Sequence, residues 1–469
     1  MSRRLIKRWL IALWILLIPS QSIAATLCVN PAVEACYSTI QEAVNNANPN
    51  DIILISPHPD VRGYRENITI TTPDLTLRGD TAAPTVNILE QACPEVIFDG
   101  CETPNNSTGC GEMVVAVEAP NTRIERILLR NGYISFSDTG SGADGSVFGE
   151  SCVIGTQSRP LRTSGTVDDL VVEGTVFHGG TSDSIKLDGN GIIVRHNHFL
   201  TVDNGVEISG DNMLISHNEF RICNDECLDL SGNNAQIEHN RLFGGDKGIH
   251  IFGDNPSITD NIVEHFVNKN LRILCVSGGC TGGTVSRNRI IGSTSNDELL
   301  WLNSIDGFVI EDNYLALASK KGIELNGSNN IIRRNVMYRS GTQLRDEACF
   351  DITGSNNLIE DNEARWCTSN GFRQGSGSDN VYRNNLVLES GRSGIYIRTS
   401  NAQDTTLEGN QIIGAHGAGI ANDGTRTVID NNILTDNRID MCNNGSIATF
   451  SDNTFTTGGA EVSCISGIK

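Results

Sequence analysis

The sequence has little of several features that would each indicate a common class of protein. Beyond the N-terminal segment it contains no apolar run of about 18 residues, the length that a membrane-spanning helix needs, and helical periodicity is nearly absent. Lysine and arginine number 35 against 56 acidic residues, and the net charge of −21 argues against nucleic acid and anionic membranes as partners. Cysteine and histidine do not occur at metal-binding spacing, and no phosphate-binding pattern surrounds the glycine-rich stretches.

Residues 1–24 have the three-part layout of a secretory signal peptide. Four basic residues precede the apolar run from Trp9 to Ile18, and Ser22-Ile-Ala24 is a small-residue cleavage site. We expect cleavage after Ala24, which leaves residues 25–469 as one domain without a transmembrane segment. The protein is then secreted, periplasmic or held at the cell surface.

An exported chain can form disulfides, and the sequence has an even number of cysteines, 14. Cys275 and Cys280 close a short loop and are the strongest predicted pair. Several other cysteines are close in sequence, whereas Cys152 has no local partner. Cys227 and Cys349 lie within apolar strand signatures, so the alternative for these two is a reduced, buried side chain.

An asparagine recurs through more than half of the chain at steps of 21 to 27 residues, each time followed two positions later by an apolar residue. Such a period predicts stacked turns that bury apolar surface only against their neighbours. Asparagine tolerates left-handed backbone angles, and stacked asparagines can hydrogen-bond from turn to turn. The predicted ladder consists of Asn197, Asn218, Asn240, Asn261, Asn288, Asn313, Asn335, Asn362, Asn384, Asn410, Asn431 and Asn453.

About ten residues after each asparagine comes a short segment of the type Gly248-Ile-His-Ile or Gly322-Ile-Glu-Leu. This alternation predicts a strand whose apolar residues face the interior and whose central residue faces out. A short amphipathic helix is predicted near residues 38–47, and no separate second domain is expected.

The turn length, the asparagine ladder and the Gly-Ile-x-Ile strands resemble the right-handed parallel β-helix of the pectate-lyase-like superfamily, over about residues 26–465. The resemblance predicts an all-β, single-stranded right-handed parallel β-helix, a solenoid with a short N-terminal capping helix. Lyases, hydrolases, epimerases, esterases, tailspikes and adhesins share this fold, so the fold alone does not assign a reaction.

In stacked turns the outward strand residues form a column, and acidic and basic residues also recur three and four positions before it. Five consecutive turns therefore gather charged side chains on one face, which is the predicted site. The column consists of Lys186, Glu207, Asp229, His250, Arg272, Trp301, Glu324, Asp351, Arg373, Tyr396 and Ala421. The weaker half is predicted to run from Glu324 to Ala421, and replacing Asp351 is expected to have little effect.

The leading functional hypothesis is a lyase that acts on an acidic, uronate-containing polysaccharide. β-Elimination beside a uronate needs an electrophile for the carboxylate, a base, and help for the leaving oxygen. In residue type the site resembles calcium-dependent pectate lyases. Ca²⁺ would be held by Glu207, Asp225, Glu226 and Asp229. The predicted base or substrate clamp is Lys186, Lys247 or Arg272, with His250 as the alternative base. Trp301 and Tyr396 would stack on sugar rings.

Three alternatives remain open. Asn224-Asp-Glu-Cys-Leu-Asp is similar to the Asp-Asp-Cys-Ile strand of polygalacturonases, which predicts glycoside hydrolysis, although the other motifs of that family are not recognisable. A non-catalytic surface or adhesive β-helix would bind glycans without turnover. The charged column can also be a solvated face of ion pairs.

A second column lies immediately before the first three ladder asparagines and consists of His196, His217 and His239. Three imidazoles on successive turns could bind Zn²⁺ or Cu²⁺. The alternative is a surface patch without a ligand.

Overall fold

A computed structural model of the chain describes residues 24–83, 85–87, 90–101, 110–156, 159–275, 279–295, 297–340, 347–456 and 463–464. All but the last residue of the predicted signal peptide lies outside the described residues. The described residues form a stacked coil of short parallel strands with three faces, in the order face 1, face 2, face 3 within each turn. No helix among them is long and apolar enough to cross a membrane.

Face 1 is an 18-stranded parallel sheet, so 17 turns separate its first strand from its last. Most of its strands have one buried residue between two partly exposed ones. The strands are Thr26–Val29, Ile52–Ile55, Thr76–Gly79, Arg123–Glu125, Val147–Gly149, Val171–Glu173, Ile193–Arg195, Leu214–Ser216, Gln236–Glu238, Ser257–Thr259, Thr284–Ser286, Val309–Glu311, Ile331–Arg333, Leu358–Glu360, Val381–Arg383, Thr406–Glu408, Thr427–Asp430 and Ile447–Ser451.

Faces 2 and 3 are joined into one sheet because Glu219–Ser231 and Arg241–Phe252 run without a break from one face to the other. The other strands of face 2 are Ile97–Asp99, Leu128–Arg130, Cys152–Ile154, Val176–His178, His198–Val202, Ile262–Phe266, Arg289–Ser293, Tyr314–Ala316, Val336–Tyr338, Glu363–Arg365, Leu386–Leu388, Gln411–Ile413, Ile433–Thr435 and Thr454–Phe455.

Face 3 contains the Gly-Ile-x-Ile segments. Its remaining strands are Ile68–Ile70, Glu112–Val117, Gly132–Ser137, Leu161–Ser164, Ile185–Asp188, Val206–Ser209, Leu271–Leu274, Leu300–Asp306, Ile323–Ser328, Ala348–Thr353, Asn370–Gln374, Ile395–Ile397, Ala418–Asn422 and Ile439–Asn443, with Cys280–Thr281 paired to the end of one of them. Two small strand pairs lie outside the three faces, Thr85–Asn87 with Glu90–Ala92 and Gly377–Ser378 with Ala402–Gln403.

The predicted N-terminal helix is present as Ile40–Asn46. Thr39 caps it, since its hydroxyl accepts a hydrogen bond from the Glu42 backbone, and the Glu66 carboxylate accepts from Ile40 and Gln41. Ile40, Ala43 and Val44 pack into the first turns of the coil. The helix therefore covers apolar surface at the N-terminal end that no further turn would bury.

The core is one continuous column of apolar side chains inside the coil. Like residues stack on successive turns. Phe177, Phe199 and Phe220 are an example, with neighbouring ring centroids 4.7 and 4.4 Å apart and nearly parallel planes. Because such burial recurs at every turn, stability is distributed along the axis rather than concentrated at one centre.

The asparagine ladder is present, with two corrections. The side-chain oxygen of each member accepts hydrogen bonds from the backbone and side-chain nitrogens of the member one turn earlier, as Asn218 does from Asn197 at 3.0 and 3.1 Å. At two turns the ladder residue is Asn385 or Asn432 rather than the predicted Asn384 or Asn431. Sequence spacing could not choose between two adjacent asparagines.

A second correction concerns the bend itself. The residue with left-handed backbone angles is the one before each ladder asparagine, such as His217 (φ 57°), Asp312 (φ 56°) or Asn384 (φ 54°). The ladder asparagine is instead buried, with its amide fully bonded inside the coil. Its role is hydrogen bonding between turns, and the exposed residue before it makes the turn.

All 14 cysteines are in disulfides, and the predicted pair Cys275–Cys280 is among them. Cys152 is joined to Cys93, which lies 59 residues earlier. Cys227 and Cys349 are paired with Cys223 and Cys367, so the alternative of reduced side chains is wrong for both. The remaining pairs are Cys28–Cys36, Cys101–Cys110 and Cys442–Cys464.

Candidate functional site

The predicted outward column exists in the predicted register on face 3. Each member is the direct strand partner of the next, from Lys186 with Glu207 to Tyr396 with Ala421. We refer to this row of residues as the face 3 column. The side chains differ widely in their surroundings, and these differences decide what each can do.

The lysines at the N-terminal end of the site are engaged by acids. Lys186 donates to Glu207 on the next strand. Lys247 Nζ lies 2.8 Å from Asp225 Oδ1 and 2.5 Å from Glu226 Oε1. Burial alone would lower the pKa of Lys247, but these hydrogen bonds raise it above its usual value. A catalytic base needs the opposite direction, so this environment suits Lys247 as a structural cation.

The same contacts bear on the predicted Ca²⁺ site. The carboxylates of Asp225 and Glu226 point to the Lys247 ammonium, and Glu207 accepts from Lys186. Over the described part of the chain, no three acidic, histidine or cysteine side chains are grouped so as to hold a metal ion. The donor set does not fit Ca²⁺ in this arrangement, and the calcium site stays a prediction.

Asp229 and His250 follow Glu207 on the next two strands of the column. Neither side chain forms an ion pair with a described lysine. His250 is 7% exposed, and neither ring nitrogen has a hydrogen-bond partner. Its Nδ1 lies 3.5 Å from Asp229 Oδ1 without the alignment of a hydrogen bond. Burial, with Arg272, Lys247 and Lys269 nearby, lowers the pKa of His250 to about 4, so the imidazole is neutral at neutral pH.

The carboxyl group of Asp229 is shifted in the opposite direction. Burial first, and then the negative charge of Glu207 on the adjacent strand, raise the pKa of Asp229 above its usual value. Asp229 therefore holds a proton more readily than an exposed carboxyl does, and it lies beside a neutral imidazole. Burial thus favours the uncharged forms of both groups, the carboxylic acid and the neutral imidazole.

Arg272 completes this stretch with an unneutralised cation. It makes no ion pair with a described residue, and its buried Nε has no hydrogen-bond partner. Its guanidinium carbon lies 4.6 Å from the centroid of the Trp301 ring, and Lys269 Nζ lies at the same distance. Trp301 is half-buried against these two cations, which limits the ring surface left for a sugar.

The flanking lysines on the turns before and after Trp301 are paired, and their partners are residues that the sequence did not single out. Lys269 Nζ lies 2.7 Å from Asp297 Oδ1, and Lys320 Nζ lies 2.6 Å from Glu298 Oε1. Asp297 and Glu298 belong to the loop that lengthens this turn. Their position three and four residues before the column at Trp301 is the signal that could have revealed them.

The half of the column predicted to be weaker contains buried charged residues. Asp351, Arg373 and Lys321 are 3%, 6% and 8% exposed. Arg373 Nε donates to Asp351 Oδ1 at 2.8 Å, and Lys321 Nζ lies 2.6 Å from Asp351 Oδ2. These buried contacts argue against the prediction that replacing Asp351 has little effect, since the substitution would remove an acid that two buried cations share.

Tyr396 lies four strands beyond Trp301, a distance of about 19 Å along the axis at 4.8 Å per strand. Its hydroxyl contacts Asp423 Oδ2 at 3.2 Å, and its ring packs against buried Ala418 and Ala421. The two predicted aromatic platforms are therefore not parts of one compact site.

The three histidines of the second column are stacked as predicted. The ring centroids of His196 and His217 are 5.0 Å apart, and those of His217 and His239 are 4.9 Å apart. All three are exposed at the turns between faces 1 and 2. They do not form a three-ligand group within the described residues, so metal binding by this column stays a prediction.

Two family models match parts of the chain. The right handed beta helix region matches residues 273–439 and 346–468, and the periplasmic copper-binding protein NosD matches residues 181–349. No curated protein matches the sequence. Together the two models span most of the asparagine ladder.

The solved structures that resemble this one are distant. DFA-IIIase from Arthrobacter chlorophenolicus A6 in complex with GF2 is 14% identical, with a TM-score of 0.40 over 76% of this chain and 83% of that one. The Dettilon tailspike protein gp208 is 13% identical, with a TM-score of 0.35 over 81% of this chain and 68% of that one. The catalytic domain of the GH87 alpha-1,3-glucanase is 12% identical, with a TM-score of 0.32 over 92% of this chain and 69% of that one. Likenesses this distant do not bear on substrate or mechanism. The parallel strand pairing from Thr26 to Phe455 and the matching β-helix model show that this chain is a right-handed parallel β-helix protein.

Proposed function

We propose that this protein is exported, binds a uronate-containing polysaccharide along face 3, and cleaves it by β-elimination. One observation carries the proposal. Between the paired lysines and the buried Asp351 cluster, the face 3 column contains a protonatable carboxyl, a neutral imidazole and an unneutralised guanidinium on consecutive strands, Asp229, His250 and Arg272. The seven disulfides, which persist in oxidising compartments, support export, as does the description of one matching family model as periplasmic.

The three side chains fit the parts of a β-elimination. The Arg272 guanidinium would bind the uronate carboxylate and neutralise it, which makes the adjacent carbon-bound proton more acidic. The neutral His250 imidazole would accept that proton once a side-chain movement exposes one of its buried ring nitrogens to the substrate. As the double bond forms, the bond to the leaving glycosidic oxygen breaks, and the Asp229 carboxyl, whose raised pKa favours its protonated form, would supply a proton to that oxygen. No metal ion is required by these steps.

The direct test is to incubate the purified protein with pectate, alginate and chondroitin sulfate and to follow two signals together. Ultraviolet absorbance of an unsaturated uronate reports elimination, and new reducing ends report chain cleavage of either kind. Both signals are expected to rise in parallel on at least one substrate. Absorbance that stays flat on all three acidic polymers would contradict the lyase.

Arg162 offers a matched control for Arg272. It lies on the same column, directly paired with Lys186, and its guanidinium is 3.5 Å from the centroid of the Tyr133 ring. Both arginines thus stack on an aromatic ring, but only Arg272 adjoins His250. Arg162→Gln should retain elimination, whereas Arg272→Gln should lose it.

Glycoside hydrolysis is the second candidate, favoured by the raised pKa of Asp229 beside Glu207. Neighbouring strands are about 4.8 Å apart, close to the carboxyl separation of about 5–5.5 Å in retaining glycosidases. Reducing ends without unsaturated product would favour this reaction. Binding without either signal would favour the non-catalytic, adhesive function.

A further inference from the structure

A cavity of about 710 Å³ opens at the corner between faces 2 and 3 in the C-terminal half of the coil. None of its lining residues belongs to the face 3 column. Tyr338 and Trp366 supply aromatic surface, and Arg339, Glu389, Arg392 and His416 supply charged or titratable groups. Its volume is within the range of about 300–1,000 Å³ that is usual for small-ligand sites.

Trp366 occupies a backbone conformation that is unfavourable for a bulky residue. Its φ is 51°, and Arg339 and Glu389, on the turns before and after, have φ values of 57° and 53°. Left-handed angles are unfavourable for a residue with a Cβ. The Trp366 side chain is nevertheless 41% exposed, so burial of the ring does not compensate for this cost in full. Left-handed angles recur at this corner on other turns, as at Leu317 and Arg339, and on this turn the residue in that position is an exposed tryptophan.

The Trp366 ring is held in one orientation by its neighbours. Its indole nitrogen donates to Glu389 Oε2 at 2.9 Å, and the Tyr338 ring meets it edge to face with centroids 5.0 Å apart. The next residue, Cys367, is buried and tied to Cys349 by a disulfide. An aromatic platform fixed in this way loses little conformational entropy when a ligand stacks on it.

The charge around the cavity is opposite in sign to that of the whole chain. Arg339 and Arg392 outnumber Glu389, although the net charge of the protein is −21. Arg339 is exposed and makes no ion pair with any residue that the structure describes. An unneutralised guanidinium beside an aromatic platform suits a ring-shaped ligand that has a carboxylate.

We propose that this cavity is a second carbohydrate site, which binds a single uronic acid unit with its ring on Trp366 and its carboxylate on Arg339. The inference rests on the proposed function only for the class of ligand. The site lies on another corner of the coil, so it can bind whether or not face 3 is catalytic, and it would hold a chain end or branch of the same acidic polymer.

Tryptophan fluorescence separates the two sites. The chain has four tryptophans, of which two lie in the predicted signal peptide and the others are Trp301 and Trp366. In Trp301→Phe, galacturonic acid should change the fluorescence of Trp366 with a saturable dose response. Galactose, which lacks only the carboxylate, should bind about tenfold more weakly, the effect expected of one charge-assisted interaction.

Two variants and one control complete the test. Calorimetric binding of galacturonic acid should disappear in Trp366→Ala, and in Arg339→Gln it should fall to the affinity for galactose. Leu317→Ala is the matched control, because Leu317 is 46% exposed with φ 60° at the same corner two turns earlier. It should bind galacturonic acid normally.

The proposal is overturned if galacturonic acid does not bind, if galactose binds equally well, or if Arg339→Gln retains full affinity. Failure of the lyase proposal has a different signature. In that case the polymer is not cleaved, but galacturonic acid still binds in both Trp301→Phe and Arg272→Gln.

Discussion

The face 3 column contains two stretches that share a register and differ in electrostatic state. From Asp229 to Trp301, the imidazole has no hydrogen-bond partner and the guanidinium has no ion-pair partner among the described residues. From Glu324 to Arg373, Asp351 is bound by cations from two directions and is 3% exposed. The comparison shows that strand register alone does not decide whether an outward polar residue is available to a ligand.

The difference comes from the residue three positions before the column. At the Glu324 turn this residue is Lys321, whose Nζ reaches both Glu324 and Asp351. At the Arg272 turn it is Lys269, whose Nζ turns instead to Asp297. The flanking lysine therefore neutralises a carboxylate of the column in one stretch, whereas in the other it pairs with Asp297, the acid whose charge acts most strongly on Arg272, and leaves Arg272 without an ion pair among the described residues.

The largest expected effect is on stability and comes from Asp351. Asp351→Ala would remove the acid that binds Arg373 and one of the two acids that bind Lys321, and breaking a buried ion pair costs about 3–5 kcal/mol. Chemical denaturation should show this loss of unfolding free energy. Asp188→Ala, which removes an exposed carboxylate from the end of a face 3 strand, should change the unfolding free energy by less than about 0.5 kcal/mol. Similar values for the two variants would mean that the paired stretch is solvated after all.

The next effect is on catalysis and comes from Arg272. Removal of one group that stabilises developing negative charge typically lowers kcat by about 10²–10³. Arg272→Gln should show a loss of that size in the absorbance assay, while its melting temperature stays close to that of the parent protein, because Nε has no hydrogen bond to lose and the contact with the Trp301 ring is the main interaction removed. An unchanged kcat with a lower melting temperature would make Arg272 a structural residue.

The pH dependence of stability should reflect His250. Its pKa of about 4 in the folded state lies below the unfolded value of 6.5, so the unfolded chain binds the extra proton first as the pH falls. The contribution is fully present above pH 6.5 and is lost progressively between 6.5 and about 4. His250→Gln should therefore lose less unfolding free energy than the parent across this window. Parallel curves for the two proteins would show that His250 is accessible to water.

If His250 is the base, activity has a related signature. The acid limb of the kcat/KM profile should lie near pH 4, where His250 becomes protonated, rather than near 6.5, where an ordinary histidine titrates. A limb near 6.5 would assign the titration to another group.

The smallest effect is expected at the solvated end of the site. Lys186 and Glu207 are 30% and 27% exposed, and exposed ion pairs contribute about 0.2–1 kcal/mol. Lys186→Ala should shift the unfolding free energy by no more than this and should retain elimination. A complete loss of elimination would instead restore Lys186 as the base.

Sequence periodicity predicted the fold well because one pattern repeats at every turn. The column from Lys186 to Ala421 follows from the position of the central residue in each strand, and the pairing confirms every step. The choice between Asn384 and Asn385 was wrong because adjacent asparagines have the same signal, and only the buried position binds the next turn.

The site was less predictable because it depends on where long side chains point. Lys247 was predicted as a base or substrate clamp, and Asp225 and Glu226 were predicted to bind Ca²⁺. In the structure these two carboxylates bind Lys247 instead. Trp366 was not predicted at all, since it lies at a corner between two strands, where the alternation of apolar and polar residues does not indicate which side chains are exposed. One signal could have revealed it. On other turns the equivalent position is a glycine, such as Gly244 or Gly292, whereas here it is a large aromatic residue.

The asparagine ladder has a consequence for insertions. Asn240 and Asn261 are separated by 21 residues and Asn261 and Asn288 by 27, yet the side-chain nitrogen lies 3.1 Å from the next side-chain oxygen in both cases. Extra residues are therefore taken up between the ladder positions and leave the strands aligned. We expect that segments added in these loops would alter the surroundings of face 3 while each column residue keeps its neighbours, so new specificities could arise without refolding the coil.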